Sequence, residues 1–278
     1  YAVASSDCTR CHDPHSSARK GLLKASVHPP AAEATCDACH QAPSSPKPFA
    51  VTVEGSALCE QCHDVAALKA GGPVLHAPFE AGECLSCHDP HASANPKLLA
   101  RQGQRLCLDC HDEKGKPATP AHGALAAEKG CLVCHAPHAA KSKGLLVADG
   151  SALCFTCHTD AKRDQNAAVG HRPFQEGQCV ACHDPHGSDS PAILRGRPDQ
   201  VCSTCHAGTV ADFRKAHIHR PVMIGDCVAC HRPHGAATKG LLADAGAALC
   251  ARCHGDLMKA EEGSVSHPPF EGEPRDPA

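Results

Sequence analysis

Every cysteine in this chain belongs to a Cys-x-x-Cys-His string. The 22 cysteines form eleven such strings, with none left over. In chain order they are Cys8, Cys11 and His12; Cys36, Cys39 and His40; Cys59, Cys62 and His63; Cys84, Cys87 and His88; Cys107, Cys110 and His111; Cys131, Cys134 and His135; Cys154, Cys157 and His158; Cys179, Cys182 and His183; Cys202, Cys205 and His206; Cys227, Cys230 and His231; and Cys250, Cys253 and His254. A disulfide scaffold needs no histidine after each second cysteine. Zinc ribbons use paired cysteines at this spacing, but they place no such demand either. Covalent c-type haem uses all three residues: two thioethers hold the porphyrin edge and the adjacent histidine ligates the iron. The strings therefore predict eleven covalent haem c groups.

The other histidines fall into sequence classes. Of the 23 in the chain, eleven are the proximal residues above. Five follow a proximal histidine by three residues: His15, His91, His138, His186 and His234. Four of these sit in Cys-His-x-Pro-His strings that lie within the repeats described below, and His15 sits in the first string. Six more precede a string and are usually followed closely by proline: His28, His76, His122, His171, His219 and His267. His217 is the spare, because His219 keeps the register better. Eleven irons and eleven patterned histidines predict bis-histidine ligation throughout. Only two methionines could compete, so the potentials should be low, methionine being the axial ligand that raises them.

The strings repeat. Those at Cys36, Cys84, Cys131, Cys179 and Cys227 are spaced 48, 47, 48 and 48 residues apart, and a partner string follows each by 23. A fixed period of this kind marks a repeat architecture. The string at Cys8 lacks a leading histidine, and the string at Cys36 lacks the second histidine. His267 opens a further repeat that no string follows. The expected organisation is a single-haem segment over 1–27, an inserted unit and lead-in over 28–58, two-haem repeats over 59–266, and a capping tail over 267–278. The spacing suggests that His28, His76, His122, His171 and His219 each cap the string they precede. His91, His138, His186 and His234 then cap the second haem of their own repeats, His15 caps the haem at Cys59, and His267 is left for the haem at Cys8. A rival scheme, in which each leading histidine caps the string behind it, satisfies the same counts.

Aromatic residues are too few for an ordinary core: no tryptophan, one tyrosine and six phenylalanines. With about 25 residues per string, the haems must supply the interior. With 23 glycines and 23 prolines, most of the chain should be turn and loop. Short helices are expected over Leu58–Ala70 and Leu249–Glu262. The Cys-His-Asp-Pro-His strings cannot continue as helix, because proline removes a donor and disfavours the helical conformation before it. The Leu-Leu pairs, such as Leu98–Leu99, are expected to pack on haem faces. The fold class is thus mostly irregular with short α-helices: an elongated haem-cored array with almost no β-structure. Without haem the chain should not fold, since ordering costs roughly 1–2 kcal/mol per residue.

No apolar run approaches the roughly 20 residues of a membrane helix, and Tyr1 reads as a processed start. Covalent haem attachment outside the bacterial cytoplasmic membrane places the chain at the cell surface or beyond, with the periplasm as the alternative. The formal charge of −3, before any haem propionates are counted, and the lack of a basic stripe argue against nucleic-acid binding.

Repeated Cys-x-x-Cys-His-x-Pro-His strings alternating with Leu-Cys-x-x-Cys-His resemble the doubled-motif multihaem c-type cytochromes of respiring bacteria and some archaea. The resemblance covers nearly the whole chain. It implies electron transport, as an extracellular filament (nanowire) subunit, a periplasmic carrier, or a conduit held in an outer-membrane porin. Implied partners are head-to-tail copies of the chain, sharing His267 with the next copy's first haem, and other redox cytochromes. Multihaem reductases need an open iron, often marked by lysine in place of the proximal histidine. No Cys-x-x-Cys-Lys occurs here, so no enzyme activity is expected.

Overall fold

The structure, a computed structural model, describes residues 7–115, 121–213 and 215–258. His267 and the C-terminal tail lie outside the described residues. The chain divides into two compact units, Tyr1–Pro117 with Gly123–Asp149, and Ala118–His122 with Gly150–Ala278. Both are built from the same repeat.

Regular structure is sparse, as composition predicts. The longest helix among the described residues is Ala247–His254, and most of the others are single turns. The helix expected over Leu58–Ala70 is broken into Ser56–Glu60 and Val65–Lys69. Asp64 restarts it by accepting the Ala67 N–H at 2.9 Å, a side-chain N-cap. Likewise the helix at Ala247 ends at His254 and tightens into a 3-10 turn over Gly255–Met258.

Six strands among the described residues were not foreseen. Each is two residues long: β1 Ser26–Val27, β2 Val74–Leu75, β3 Ala92–Ser93, β4 Ala139–Ala140, β5 Val169–Gly170 and β6 Gly235–Ala236. They pair antiparallel as β1–β3 and β2–β4 in the first unit and β5–β6 in the second. Each pair joins the segment before a leading histidine to the segment after a Cys-His-x-Pro-His string of the next repeat. The backbone extends the joint: His28 N–H donates to the His91 carbonyl at 2.9 Å, and His76 N–H to the His138 carbonyl at 2.9 Å. Close approach at β4 requires glycine opposite it. A Cβ on Gly72 would lie 2.1 Å from the Ala140 carbonyl oxygen.

Each strand runs straight into its histidine, which then caps a helical turn. His28, His76, His171 and His219 occupy the N-cap positions of Pro29–Ala32, Ala77–Glu80, Arg172–Gln175 and Arg220–Met223. The proline that follows lies in the first turn, where its missing N–H costs nothing. The sequence pattern His-x-Pro is therefore a strand-to-helix corner with the imidazole at its apex.

Small side chains make up the protein's own interior. Among the described residues the buried ones include Ala92, Ala139, Ala140, Phe174 and Ala236, with Ser93 and Ser142, and no large side chain is fully enclosed. Large apolar side chains within the strings, such as Leu85, Leu132, Val180 and Val228, are exposed by the polypeptide. A core this small cannot offset roughly 1–2 kcal/mol of conformational entropy per residue. The chain produced without haem attachment should show no cooperative thermal transition by circular dichroism. A sharp cooperative melt of the haem-free chain would contradict the haem-cored reading.

Candidate functional site

The cysteine strings take two local forms. In the first form the two cysteines flank a tight turn, as in Cys84–Ser86, and the chain then leaves the helix at the proximal histidine. In the second form the string rides on a helix, as in Arg105–Leu108 and Ala247–His254. Both forms return the histidine N–H to the first cysteine: His88 to the Cys84 carbonyl at 3.0 Å, and His111 to the Cys107 carbonyl at 3.0 Å. One attachment geometry thus recurs on two scaffolds.

The first-form histidines share a backbone clamp. Their Nδ1–H donates to the carbonyl nine residues on: His12 to Gly21 (2.7 Å), His40 to Phe49 (2.8 Å), His88 to Lys97 (2.9 Å), His135 to Gly144 (2.8 Å), His183 to Ala192 (2.9 Å) and His231 to Gly240 (2.9 Å). A ladder flanks each contact, as at His88, where Asp89 N–H donates to Leu98 O and Ala100 N–H to Cys87 O. Aiming these carbonyls inward puts two successive residues in the left-handed region at five of the six, the exception being Phe49. They are Gly21 and Leu22, Lys97 and Leu98, Gly144 and Leu145, Ala192 and Ile193, and Gly240 and Leu241. The Leu-Leu pairs therefore mark a backbone device that residue spacing alone did not reveal. Its signal was present in the three Lys-Gly-Leu-Leu copies, where glycine takes the first left-handed position.

Leading histidines are held in the same way by the next repeat. Nδ1–H of His76, His122 and His171 donates to the carbonyls of Pro137, Pro185 and Pro233 at 3.0, 2.9 and 2.9 Å. With Nδ1 anchored to a carbonyl, Nε2 is the nitrogen left to bind a metal.

Among the described residues, at least eight proximal histidines face a second histidine. The pairs are His28 with His63, His76 with His111, His122 with His158, His171 with His206, and His219 with His254. To these are added His40 with His91, His88 with His138, and His183 with His234. Ring centroids stand 5.9 to 6.2 Å apart in all eight, while interplanar angles range from 15° to 51°. A face-to-face stack would fix the planes and bring the rings closer, as Phe174 and His234 do at 4.5 Å and 19°. A constant separation with a free twist is what two imidazoles bound to one ion require. Allowing about 1 Å for half of each ring leaves ~4 Å between facing nitrogens, which is two metal–imidazole bonds of about 2 Å.

The donor set fits haem rather than zinc. Among the described residues no three His, Cys, Asp or Glu side chains converge to hold an ion, whereas a structural zinc site takes four protein ligands. Two axial histidines are what an iron needs from the protein when a porphyrin supplies the rest. None of the cysteines forms a disulfide, and the sulfurs of consecutive strings meet. Cys107 is pushed up to about 11 by burial and by the Cys131 thiol hydrogen-bonded to it; Cys202 is pushed up to about 11 by burial and by Cys227. Burial also pushes the His91, His138 and His234 imidazoles down, so they stand ready as neutral ligands. Phe79 and Phe174 pack on His138 and His234 at 4.9 and 4.5 Å between centroids.

These pairs overturn both axial schemes drawn from spacing. His28, His76, His122, His171 and His219 do not face the strings they precede; each faces the proximal histidine of the second string of its own repeat. His91, His138 and His234 reach back to the first string of the preceding repeat. The expected link from His15 to the string at Cys59 is absent too, since His63 faces His28. Between His217 and His219, it is His219 that faces a proximal histidine.

Repeated covalent attachment strings with paired axial histidines define a multihaem c-type cytochrome. The sequence matches the doubled CXXCH motif family over residues 2–27, 28–68, 76–116, 122–163, 171–211 and 219–259, and the chain belongs to that family. A comparison with curated proteins finds no match. No helix among the described residues is long and apolar enough to cross a membrane.

The pairing has a direct test. His76→Ala should convert one haem per chain to high spin and open it to carbon monoxide, and added imidazole should appear in cryo-EM density opposite His111. Density opposite His88 would restore the scheme drawn from spacing.

Proposed function

We propose that the chain carries electrons through eleven bis-histidine haems as a subunit of an extracellular filament. Bound at the strings, haem supplies one-electron chemistry at iron. The residues supply the rest. Paired histidines close both axial positions, which argues for an electron carrier and against an enzyme. Hydrogen bonds of Cys59 with Cys84 and of Cys107 with Cys131 in the first unit, and of Cys202 with Cys227 in the second, bring these consecutive attachment points side by side. In this reading, covalent haem attachment supports a location outside the cytoplasm, at the cell surface or in the medium.

The observation that carries the electron-transfer reading is the facing of proximal histidines by a second histidine, as His76 faces His111 and His138 faces His88. The filament reading is supported by the likeness of the string pattern to cytochrome filament subunits, and a head-to-tail contact that does not close on itself yields a filament. By count, His267 remains for the iron at His12, within the chain or from a neighbouring copy.

Negative-stain electron microscopy of the holoprotein should show filaments. Discrete particles at every concentration would instead indicate a carrier or conduit that does not polymerise. His267→Ala should open one further haem per chain to carbon monoxide; an unchanged spin state would remove His267 from the ligand set.

A further inference from the structure

We infer that a carboxylate beside the second axial histidine sets the potential of the first-form haems. The haem at Cys84 and Cys87, whose His138 has no such carboxylate, is then reduced before those at the Cys36 and Cys179 strings. This rests on the bis-histidine reading and adds which residues rank the sites.

Four of the five histidines that follow a first-form string by three residues keep a carboxylate close, by two routes. In three strings it is local. Asp13, Asp89 and Asp184 stand two residues before His15, His91 and His186 and accept their backbone N–H at 3.0, 2.9 and 3.0 Å. This turn swings the carboxylate towards the ring: Oδ1 of Asp13 and of Asp184 lies 3.8 Å from Nδ1 of His15 and of His186.

In the string at Cys227, Arg232 takes the aspartate position, and the carboxylate comes from elsewhere. Asp164 lies 70 residues before His234 and closes the helix Thr159–Asp164. Its Oδ2 stands 3.8 Å from Nδ1 of His234, matching the local cases. Among the described residues no lysine or arginine stands at ion-pair distance from Asp164, so its charge is left to His234.

His138 has neither route. Its string carries Ala136 at the aspartate position, and Lys69 fills the place of Asp164. Lys69 and Asp164 each close a helix, and each lies seven residues before a leading histidine, His76 or His171. Burial pushes the His91, His138 and His234 imidazoles down; Asp89 and Asp164 pull the first and third back up, and no carboxylate does so for His138.

The surroundings otherwise match. Phe79 lies on His138 as Phe174 lies on His234. On the proximal side, Nδ1 of His88 and of His183 is clamped to a carbonyl at 2.9 Å in both. The charge is what differs. Reduction adds one electron at iron and removes one positive charge there. A carboxylate at the far side of the imidazole makes it a stronger donor to iron and favours the more positive, oxidised state by Coulomb attraction. The Asp164 site is therefore harder to reduce, and the His138 site easier.

Spectroelectrochemical titration of the full-length holoprotein tests this with Ala136→Asp and Asp164→Asn. Both keep every cysteine and histidine, so haem content and low-spin absorption should match the native protein. Ala136→Asp should move one haem's share of the absorbance change to more negative potential, and Asp164→Asn should move one share to more positive potential. Each shift should be about tenfold in the ratio of reduced to oxidised iron, or about 59 mV for one electron. In the native protein, the share moved by Ala136→Asp should lie at more positive potential than the share moved by Asp164→Asn. Low-spin variants whose curves overlie the native one, or the reverse order of the two shares, would overturn the role of the carboxylates and leave the bis-histidine reading standing. Native holoprotein whose reduced haems all bind carbon monoxide would overturn both.

Discussion

Pairing of histidines across repeat boundaries is the constraint on which the rest of this structure depends. The first-form proximal histidines His40, His88 and His183 find their partners about 50 residues on, in the next repeat, as His88 does in His138. Each second-form one finds its partner 35 or 36 residues back, at the start of its own repeat, as His111 does in His76. The two links interleave, so one leading segment serves both. His76 faces His111 while its backbone N–H and Nδ1–H hold His138 and Pro137 in place. Packing, strand pairing and ligation are therefore one event. This explains how strands of two residues persist where isolated hairpins are marginal.

Attachment chemistry was fully legible in the sequence, and pairing was not. The cysteine strings are local: all three residues lie within five positions, and their meaning does not depend on the fold. An axial partner is non-local, and proximity in sequence misled. His76 lies 12 residues before His88 and 35 before His111, so spacing favoured the wrong one. The structure turns His76 away by making it the N-cap of Ala77–Glu80, at the corner after β2. Two-residue strands such as Ala139–Ala140 carry no alternating pattern that could have announced them. A weaker clue existed in Gly71–Gly72, which reads as a helix stop but is also where the chain passes against Ala139 and Ala140.

Backbone strain is spent on aiming ligands. Leu98, Leu145, Ile193 and Leu241 hold φ between 52° and 58°, which costs a residue with a side chain roughly 1–2 kcal/mol each. The conformation recurs at five of the six clamps, all but that of His40 on Phe49, so it is not peculiar to one loop. Where glycine fills the first of the two positions the strain is halved; Lys97 and Ala192 show that the clamp forms without it. A carbonyl acceptor fixes the tautomer and makes the imidazole a stronger donor to iron, a reason for the strain to be kept at five of the six first-form strings.

Interleaved ligation also ties neighbouring repeats together in order. In a repeat protein each unit contacts only its neighbours, so the array is held by a series of neighbour interfaces. Here each interface also carries a histidine pair: His88 finds its partner in the following repeat, at His138, while His111 finds its partner at the start of its own, at His76. Deleting one repeat would therefore change not only the packing of its neighbours but also which imidazoles face each other, so packing and ligation cannot be altered separately.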